Sequence, residues 1–359
     1  MNNHPIPAVT LDKRFWKKKA LVTFLLSILV FFIHNSSFYN YSNAEGALSA
    51  ANGFLAHVVR YTLTEFSVPL YFIISGALFF RNYSSDQYVS KLKSRVRTLL
   101  IPYLMWNVIW LLFDIVTSYT FISNYFLGRE KYELSTINVL LSIFHHKSNG
   151  PFWFLFDLIF FVLLTPVIDF LTRTKRRSII TITAAVTLCL MGWGLPSQIF
   201  FQHTAHVYYF IGVLVGKYGL AYFAQPSSLR MRVVSLLVLF VYGIHNTFFY
   251  NHVSGPLREA LLIVQFVLCS WAFWNVCDWV PDDSIAHRFS DCSFAVYAMH
   301  ANLGAVITKL LYLLLPKSDY FAIINFLLTI LLTLLFVKLF CVILRKIMPR
   351  LYALLMGSR

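Results

Sequence analysis

The first residue that could do chemistry is His34, which directly follows the long apolar stretch 20–33. A titratable side chain at membrane depth is costly, so its presence indicates a functional role. Thr23, Ser27 and His34 follow helical spacing, and Lys19 lies one turn before Thr23. These side chains form a polar stripe on an otherwise apolar helix, and such a stripe is typical of a surface that faces a bundle interior or a wet cavity.

Acidic and aromatic side chains near the same end of three later stretches could join the histidine. They are Glu65, the pair Asn107 and Asp114, and the pair Trp153 and Asp157. A carboxylate beside an imidazole fixes its tautomer and stabilises the imidazolium that forms when the ring takes a proton. Glu65 and Asp157 are our candidates for that role beside His34. Solvation at the membrane interface would equally explain Glu65 and Asp114.

The segment Ser67–Phe80 contains a proline and two adjacent small residues. Pro69 predicts a kink, because a proline within a helix removes one backbone hydrogen bond. Ser75 and Gly76 would let another backbone approach closely. Helix packing alone would explain this segment.

The segment Lys91–Trp106 opens with basic residues, among them Arg95 and Arg97. They could simply anchor the end of a span on one side of the membrane. The alternative is a cationic mouth for a phosphorylated ligand, because arginine presents a planar fork to phosphate.

The composition places all these residues in a membrane domain. The 359-residue chain is 58% hydrophobic and only 13% charged, and its mean hydropathy is +0.66. Apolar windows of roughly 18 residues or more recur, each long enough to cross a hydrocarbon core of ~30 Å. We predict one all-α, polytopic domain over residues 1–359, with about ten transmembrane helices and a retained first helix. The predicted spans are 20–38, 62–80, 98–118, 152–172, 178–196, 206–222, 231–250, 259–278, 293–315 and 321–343.

The net charge of +15 is explained by topology, and we therefore expect no nucleic-acid partner. With the ten spans above, 23 of the 30 lysines and arginines lie on the side of the N-terminus. Cytoplasmic loops of membrane proteins carry such an excess. The distribution predicts that both termini are cytoplasmic.

The five cysteines indicate neither a disulfide framework nor a zinc site, because no C-x-x-C pair occurs. They lie within or at the ends of spans, where they are expected to pack as small residues. No pattern of histidines and acidic residues has the spacing of a metal site, so no metal is predicted.

Five segments make the chain resemble the membrane-bound acyltransferase 3 family, the integral-membrane O-acyltransferases of bacterial surface polysaccharides. Their order, their spacing and the ten spans carry the resemblance, which covers nearly the whole chain. The segments are VFFIH (30–34), VPLYFIISG (68–76), RVRTLLIPY (95–103), GPFWFL (150–155) and SFAVYAMH (293–300).

The resemblance implies an acyl-CoA donor, with acetyl-CoA expected, that binds from the cytoplasm, and a hydroxyl acceptor on a glycan. It assigns catalysis to His34. We expect donor binding by Lys19, Ser75, Gly76, Arg95 and Arg97, and acceptor binding by Asn35, Trp153, Tyr297 and His300. No permanently bound cofactor is expected, and membrane lipids are expected partners of a multi-pass protein of the bacterial inner, or cytoplasmic, membrane.

One position departs from the family pattern. The family usually carries an arginine eleven residues before the span-1 histidine, and here that position is Thr23. Lys19 lies one turn lower on roughly the same face, about 6 Å away at 1.5 Å per residue. Lys19 could substitute by reaching upward, or the chain could belong to a subfamily with an altered donor or activity.

Two other functions remain open from the sequence. A transporter or export component for a polysaccharide or its precursor would use the polar stripe to line a substrate path. A purely structural membrane subunit would leave the buried histidine and carboxylates as an unexplained cost.

Overall fold

The computed structural model describes residues 11–35, 47–62, 64–120, 131–192, 204–249, 253–316 and 318–357. Every regular element in these ranges is helical. The helices, numbered in chain order, are α1 Lys13–Asn35, α2 Ala47–His57, α3 Ser67–Phe80, α4 Tyr88–Arg95, α5 Ile101–Tyr119, α6 Thr136–Phe144, α7 Trp153–Leu163, α8 Thr165–Leu171, α9 Lys175–Leu190, α10 Ala205–Tyr218, α11 Leu220–Ala224, α12 Leu229–Phe249, α13 Gly255–Val276, α14 Ile285–Phe289, α15 Ser293–Leu314, α16 Asp319–Ile347 and α17 Pro349–Met356.

Six helical stretches are long and apolar enough to cross a membrane, and a bent pair brings the total to seven if it forms one span. The pair is Gly150–Leu163 and Thr165–Leu171, with an angle of 69° between its members. The six are Ala51–Phe80, Ser85–Tyr119, Leu229–Phe248, Gly255–Trp279, Ile285–Leu314 and Tyr320–Ile347. Each of the ten predicted segments contains a helix, but three of these helices are not among the candidate spans: α1, and α9 and α10 with only 16 and 14 residues. The count of ten therefore stays a prediction.

The centre of the bundle is formed by α1, which packs against α3 and α15. Its buried face includes Leu21, Val22 and Leu26 together with Ser27 of the polar stripe. By contrast α16 exposes a row of apolar side chains, several of them leucines, with Phe336 among them. Such an apolar outer surface is typical of a helix that faces lipid, because lipid tails solvate apolar side chains as well as the protein interior does.

Glycines bring α3 and α10 into backbone contact. A Cβ added at Gly76 would lie 2.5 Å from the carbonyl oxygen of Tyr209, and one at Gly212 would collide with the carbonyl oxygen of Ile73. Gly216 makes the same close approach to Ala77. Small residues of this kind replace hydrophobic association as the source of helix packing within lipid.

Pro69 lies in the first turn of α3, where its missing N–H has no helical partner to lose. The chain turns at residues 64–66, immediately before this helix. The kink predicted at Pro69 is therefore not seen: α3 is one continuous helix from Ser67 to Phe80.

A second π-helical turn, Val96–Leu100, joins α4 to α5. The C-terminal helix α17 packs against the start of α5: the Trp106 indole donates to the Leu355 carbonyl at 3.1 Å. Gly357 follows α17 with φ +60° and approaches the Thr98 carbonyl. Helix α17 and Gly357 thus pack against the turn Val96–Leu100, which contains Arg97 of the predicted basic mouth.

All five cysteines are buried and none forms a disulfide, so the prediction that they act as packing residues is confirmed. They are Cys189, Cys269, Cys277, Cys292 and Cys341.

Candidate active site

Two cavities lie along α1, one towards each end of the helix. We call the first the arginine cavity and the second the histidine cavity. The arginine cavity is lined by Lys19, Thr23, Tyr71, Ser75, Arg95, Phe154, Ser293 and Tyr297 among others. The histidine cavity is lined by His34, Glu65, Tyr71, Trp153, Phe154, Tyr208, Glu259 and Tyr297 among others. The polar stripe predicted from the sequence therefore runs from one cavity to the other.

His34 sits near the C-terminal end of α1 and is exposed within the histidine cavity. Glu65, from the turn before α3, lines the same cavity. Asp157 is buried in α7 but does not line that cavity. Of the two carboxylates predicted to accompany the histidine, the structure thus places only Glu65 in its cavity.

The imidazole nearest to His34 belongs to His300, with ring centroids 5.2 Å apart. His300 is fully buried in α15 and is not part of the cavity wall. Its Nδ1 lies 2.6 Å from the Tyr297 carbonyl oxygen. His300 was predicted to bind acceptor, and its burial behind the wall points to a different role.

Asn35 also faces away from the cavity. Its side-chain amide donates to the Phe31 carbonyl at 3.2 Å and to the His300 carbonyl at 3.4 Å. It also packs onto Gly304, where an added Cβ would lie 2.7 Å from the Asn35 oxygen. These contacts join α1 to α15. Asn35 therefore has a role in helix packing, whereas acceptor binding was predicted from the sequence.

Trp153, by contrast, lines the histidine cavity as expected for an acceptor-binding residue.

The other two polar residues that the sequence places near His34 are buried in the protein interior. Asn107 is buried and donates to the Ile143 carbonyl at 3.1 Å. Asp114 is buried within α5. Neither lines the histidine cavity.

Glu259 is a cavity residue that sequence reasoning missed. It lies near the start of α13 and contributes a second carboxylate to the histidine cavity. The only signal in the sequence was an acidic residue at the opening of a predicted span, which Glu65 shares. Nothing in the sequence indicates that the ends of α3 and α13 meet at one cavity.

The arginine cavity brings together two basic side chains from different helices. Lys19 comes from α1 and Arg95 from the end of α4, and Ser75 and Thr23 line the same wall. The Arg95 guanidinium lies 5.5 Å from the centre of the Phe79 ring, a distance at which cations and aromatic faces attract. The predicted substitute for the missing family arginine therefore lines the same cavity as Arg95.

Arg97 and Gly76 lie outside this cavity. Arg97 is exposed and is absent from the cavity wall. Gly76 faces α10, as described above, although its neighbour Ser75 lines the cavity. Both were predicted to bind donor; the structure gives Gly76 a packing role and leaves Arg97 on the surface.

Three aromatic residues line both cavities and separate them: Tyr71, Phe154 and Tyr297, which we call the aromatic partition. The Phe154 ring lies 5.6 Å from that of Tyr71 and 6.1 Å from that of Tyr297. The Tyr71 hydroxyl lies 2.7 Å from the Ser27 hydroxyl. The Tyr297 hydroxyl donates to the Pro151 carbonyl. These bonds fix the partition between the basic and the acidic compartments.

Within the described ranges, no three histidine, cysteine, aspartate or glutamate side chains are grouped so that they could hold a metal ion. The chemistry that the two cavities offer is therefore that of cations at one end of α1, and of an imidazole with two carboxylates at the other.

A comparison with protein families agrees with this arrangement. The model of the acyltransferase 3 family, described as an acyltransferase domain, matches residues 22–346. No curated protein and no solved structure matches the chain. The matched range includes His34, the aromatic partition and every wall residue of the two cavities except Lys19. The chain belongs to the acyltransferase 3 family.

Proposed function

We propose that this protein is an integral-membrane O-acyltransferase. It moves an acyl group, an acetyl group in our proposal, from cytoplasmic acyl-CoA to a hydroxyl of a cell-surface polysaccharide or a lipid-linked sugar. The observation that carries the proposal is the pair of cavities of opposite character on the two sides of one aromatic partition. An enzyme that joins a cytoplasmic donor to an external acceptor needs such a division.

The arginine cavity is the proposed donor site. Lys19 and Arg95 would contact the phosphates of CoA, because lysine and arginine are the side chains that best bind phosphate. Ser75 lines the wall along which the arm of the donor would pass. From Lys19 to His34 the helix rises about 22 Å at 1.5 Å per residue, so the arm must reach past the partition.

The histidine cavity is the proposed acceptor site. Trp153 and Tyr208 offer aromatic faces, and Glu65 and Glu259 offer hydrogen-bond acceptors for sugar hydroxyls. Apolar and aromatic walls with a few placed polar groups are typical of small-molecule sites. Among the described residues, the wall of this cavity includes no lysine or arginine.

In the reaction, His34 takes the proton of the acceptor hydroxyl as general base. The oxygen forms a bond to the thioester carbonyl carbon, the carbon–sulfur bond breaks, and the CoA thiolate recovers the proton from His34. Trp153 and Tyr208 both line the cavity, and their indole N–H and hydroxyl groups are the donors that would stabilise the developing oxyanion. Glu65 would stabilise the imidazolium that forms.

The topology that this mechanism requires is the one that the charges predict. Ten spans with both termini in the cytoplasm would place Lys19 and Arg95 at the cytoplasmic face, and His34 towards the outside. The proposed location is the cytoplasmic membrane of a bacterium, where acyl-CoA is found on one side and surface glycans are assembled on the other.

The test is transfer of label from [¹⁴C]acetyl-CoA to glycan in membranes that contain equal amounts of wild type or His34→Ala. We expect the variant to lose at least ~100-fold in rate, the lower end of what a general base contributes. His245→Ala is the matched control, because His245 lies on α12, pairs with Gln265 and lines neither cavity. Equal labelling by His34→Ala and wild type would contradict the proposed base. Glycan export that continues without any acyl-CoA would favour a transporter.

A further inference from the structure

His300 has one ring nitrogen whose state is fixed by its partner. Nδ1 lies 2.6 Å from the carbonyl oxygen of Tyr297, and a carbonyl can only accept a hydrogen bond. Nδ1 therefore carries the proton and donates it. In a neutral imidazole the other nitrogen, Nε2, is then a bare acceptor.

That second nitrogen is buried and has no hydrogen-bond partner among the residues that the structure describes, and the side chain of His300 is 0% exposed. A buried acceptor without a donor costs free energy, so such atoms call for an explanation. A side chain that can supply an N–H to it is His34, whose ring centre lies 5.2 Å from that of His300, with 52° between the ring planes. Two imidazoles joined by a single nitrogen-to-nitrogen hydrogen bond of about 3 Å have ring centres at about this separation.

We propose that His300 is a positioning residue for His34. A small rotation of the His34 ring lets one of its N–H groups donate to His300 Nε2, while His300 Nδ1–H continues to donate to the Tyr297 carbonyl. This inference rests on the proposed function, in which His34 is the base. It assigns to a neutral histidine the orienting role for which the sequence suggested a carboxylate.

The hydrogen bond between the two histidines determines which nitrogen of His34 acts as the base. With one nitrogen protonated and bonded to His300, the other is unprotonated and faces the histidine cavity, where it can take the proton of the acceptor hydroxyl. His34 then carries both protons until the thiolate leaves and recovers one. Throughout this cycle His300 keeps its own proton on Nδ1, so it orients the base without entering the proton balance.

The position of the partition supports this arrangement. Tyr297, whose carbonyl holds His300, lies one turn earlier on α15, and its ring belongs to the aromatic partition. The same residue thus anchors the positioning histidine with its backbone and separates the two cavities with its side chain.

The test compares His300→Gln with His300→Phe. Glutamine can place an oxygen near the position of Nε2 and accept from His34, whereas phenylalanine fills the space without an acceptor. For His300→Phe we expect kcat to fall roughly 10- to 100-fold, the usual effect of removing an orienting partner, with an unchanged KM for acetyl-CoA. For His300→Gln we expect kcat to recover to within about fivefold of the wild-type value, since the acceptor function is retained. A phenylalanine variant with wild-type kcat, or a glutamine variant no better than phenylalanine, would overturn the inference.

A measurement on protein with an intact His300 covers the case in which these variants do not fold. In protein labelled with ¹⁵N-histidine, the Nε2 resonance of His300 should report a hydrogen-bonded acceptor and should shift when His34 is replaced by alanine. The His245 resonances should not move. An Nε2 resonance that His34→Ala leaves unchanged would sink the pairing. If His34→Ala itself retains acyl transfer, the proposed base has failed; if His34 is essential and His300→Phe is fully active, only the positioning role has failed.

Discussion

The two cavities are separated by three aromatic side chains and both have mainly apolar walls, yet the charged groups in those walls differ. The arginine cavity has lysine and arginine in its wall, whereas the histidine cavity has an imidazole and two glutamates. Both are lined by α1 and α3. One pair of packed helices therefore presents two cations at one end and an imidazole at the other. In the proposed function these ends receive the donor and the acceptor, which need not enter from the same side.

The two cavities share the helices that form their walls. Because α3 lines both cavities and is held against α10 by glycine contacts, damage to that contact should affect both ends at once. Changes within one cavity should affect one substrate only. The experiments below use this distinction, beginning with the change expected to have the largest effect.

Gly212→Ala should damage both cavities together. The added Cβ would collide with the backbone carbonyl of Ile73, and a backbone atom cannot rotate away as a side chain can. We expect destabilisation of about 1–3 kcal/mol, seen as a lower Tm of the purified protein and as parallel losses in donor and acceptor use. Gly243→Ala is the control, because its nearest neighbour would be the Thr62 methyl at 3.7 Å, an ordinary contact. Equal Tm values for the two variants would show that the contact between α3 and α10 is not tight.

Arg95→Gln should affect only the donor. Removing one cation from a phosphate site is expected to raise the KM for acetyl-CoA roughly 10-fold, the equivalent of one charge-assisted hydrogen bond. The KM for acceptor should stay within twofold. Arg97→Gln is a matched control two residues away, since Arg97 is exposed and outside the cavity. A larger effect from Arg97 than from Arg95 would place the donor on the protein surface and contradict the donor site proposed here.

Glu259→Gln should affect only the acceptor, by a smaller factor. The substitution keeps the shape of the side chain but removes one negative charge from the histidine cavity. We expect acceptor KM to change about threefold, in line with a partly exposed polar contact, and the relative rate with an acidic sugar to rise. Comparing a neutral glycoside with its uronic acid measures this preference. A greater loss with acetyl-CoA than with acceptor would place Glu259 in the donor path.

Much of this arrangement could be predicted from helical spacing. The stripe of Lys19, Thr23 and His34 along α1 connects the two cavities as the spacing predicts, because residues three, four or seven apart share a face of a helix. Ser75 and Arg95, predicted to bind donor, line the arginine cavity, and Trp153, predicted to bind acceptor, lines the histidine cavity; their binding roles stay predictions. These residues lie on helices whose buried faces the apolar pattern already indicates.

The roles of the other site residues depend on which helices pack against each other, and a single sequence does not contain that information. Gly76 follows Ser75 and Asn35 follows His34, and one residue of a helix turns the side chain by about 100°, away from the cavity. The role of Glu259 depends on the meeting of α13 with α3. The partner of His34 emerges only when α1 and α15 are packed side by side, because His300 is then buried next to it.

The most direct test of the central claim is the sidedness of donor and acceptor. CoA is too highly charged to cross a bilayer, so sealed vesicles of known orientation can present acetyl-CoA to one face only. With inverted vesicles, whose cytoplasmic face points outward, external acetyl-CoA should label glycan inside the vesicle, and Arg95→Gln should weaken this labelling. Right-side-out vesicles given external acetyl-CoA should show no labelling. Labelling that occurs equally in both orientations, or only in right-side-out vesicles, would contradict an enzyme that takes its donor from the cytoplasm through the arginine cavity.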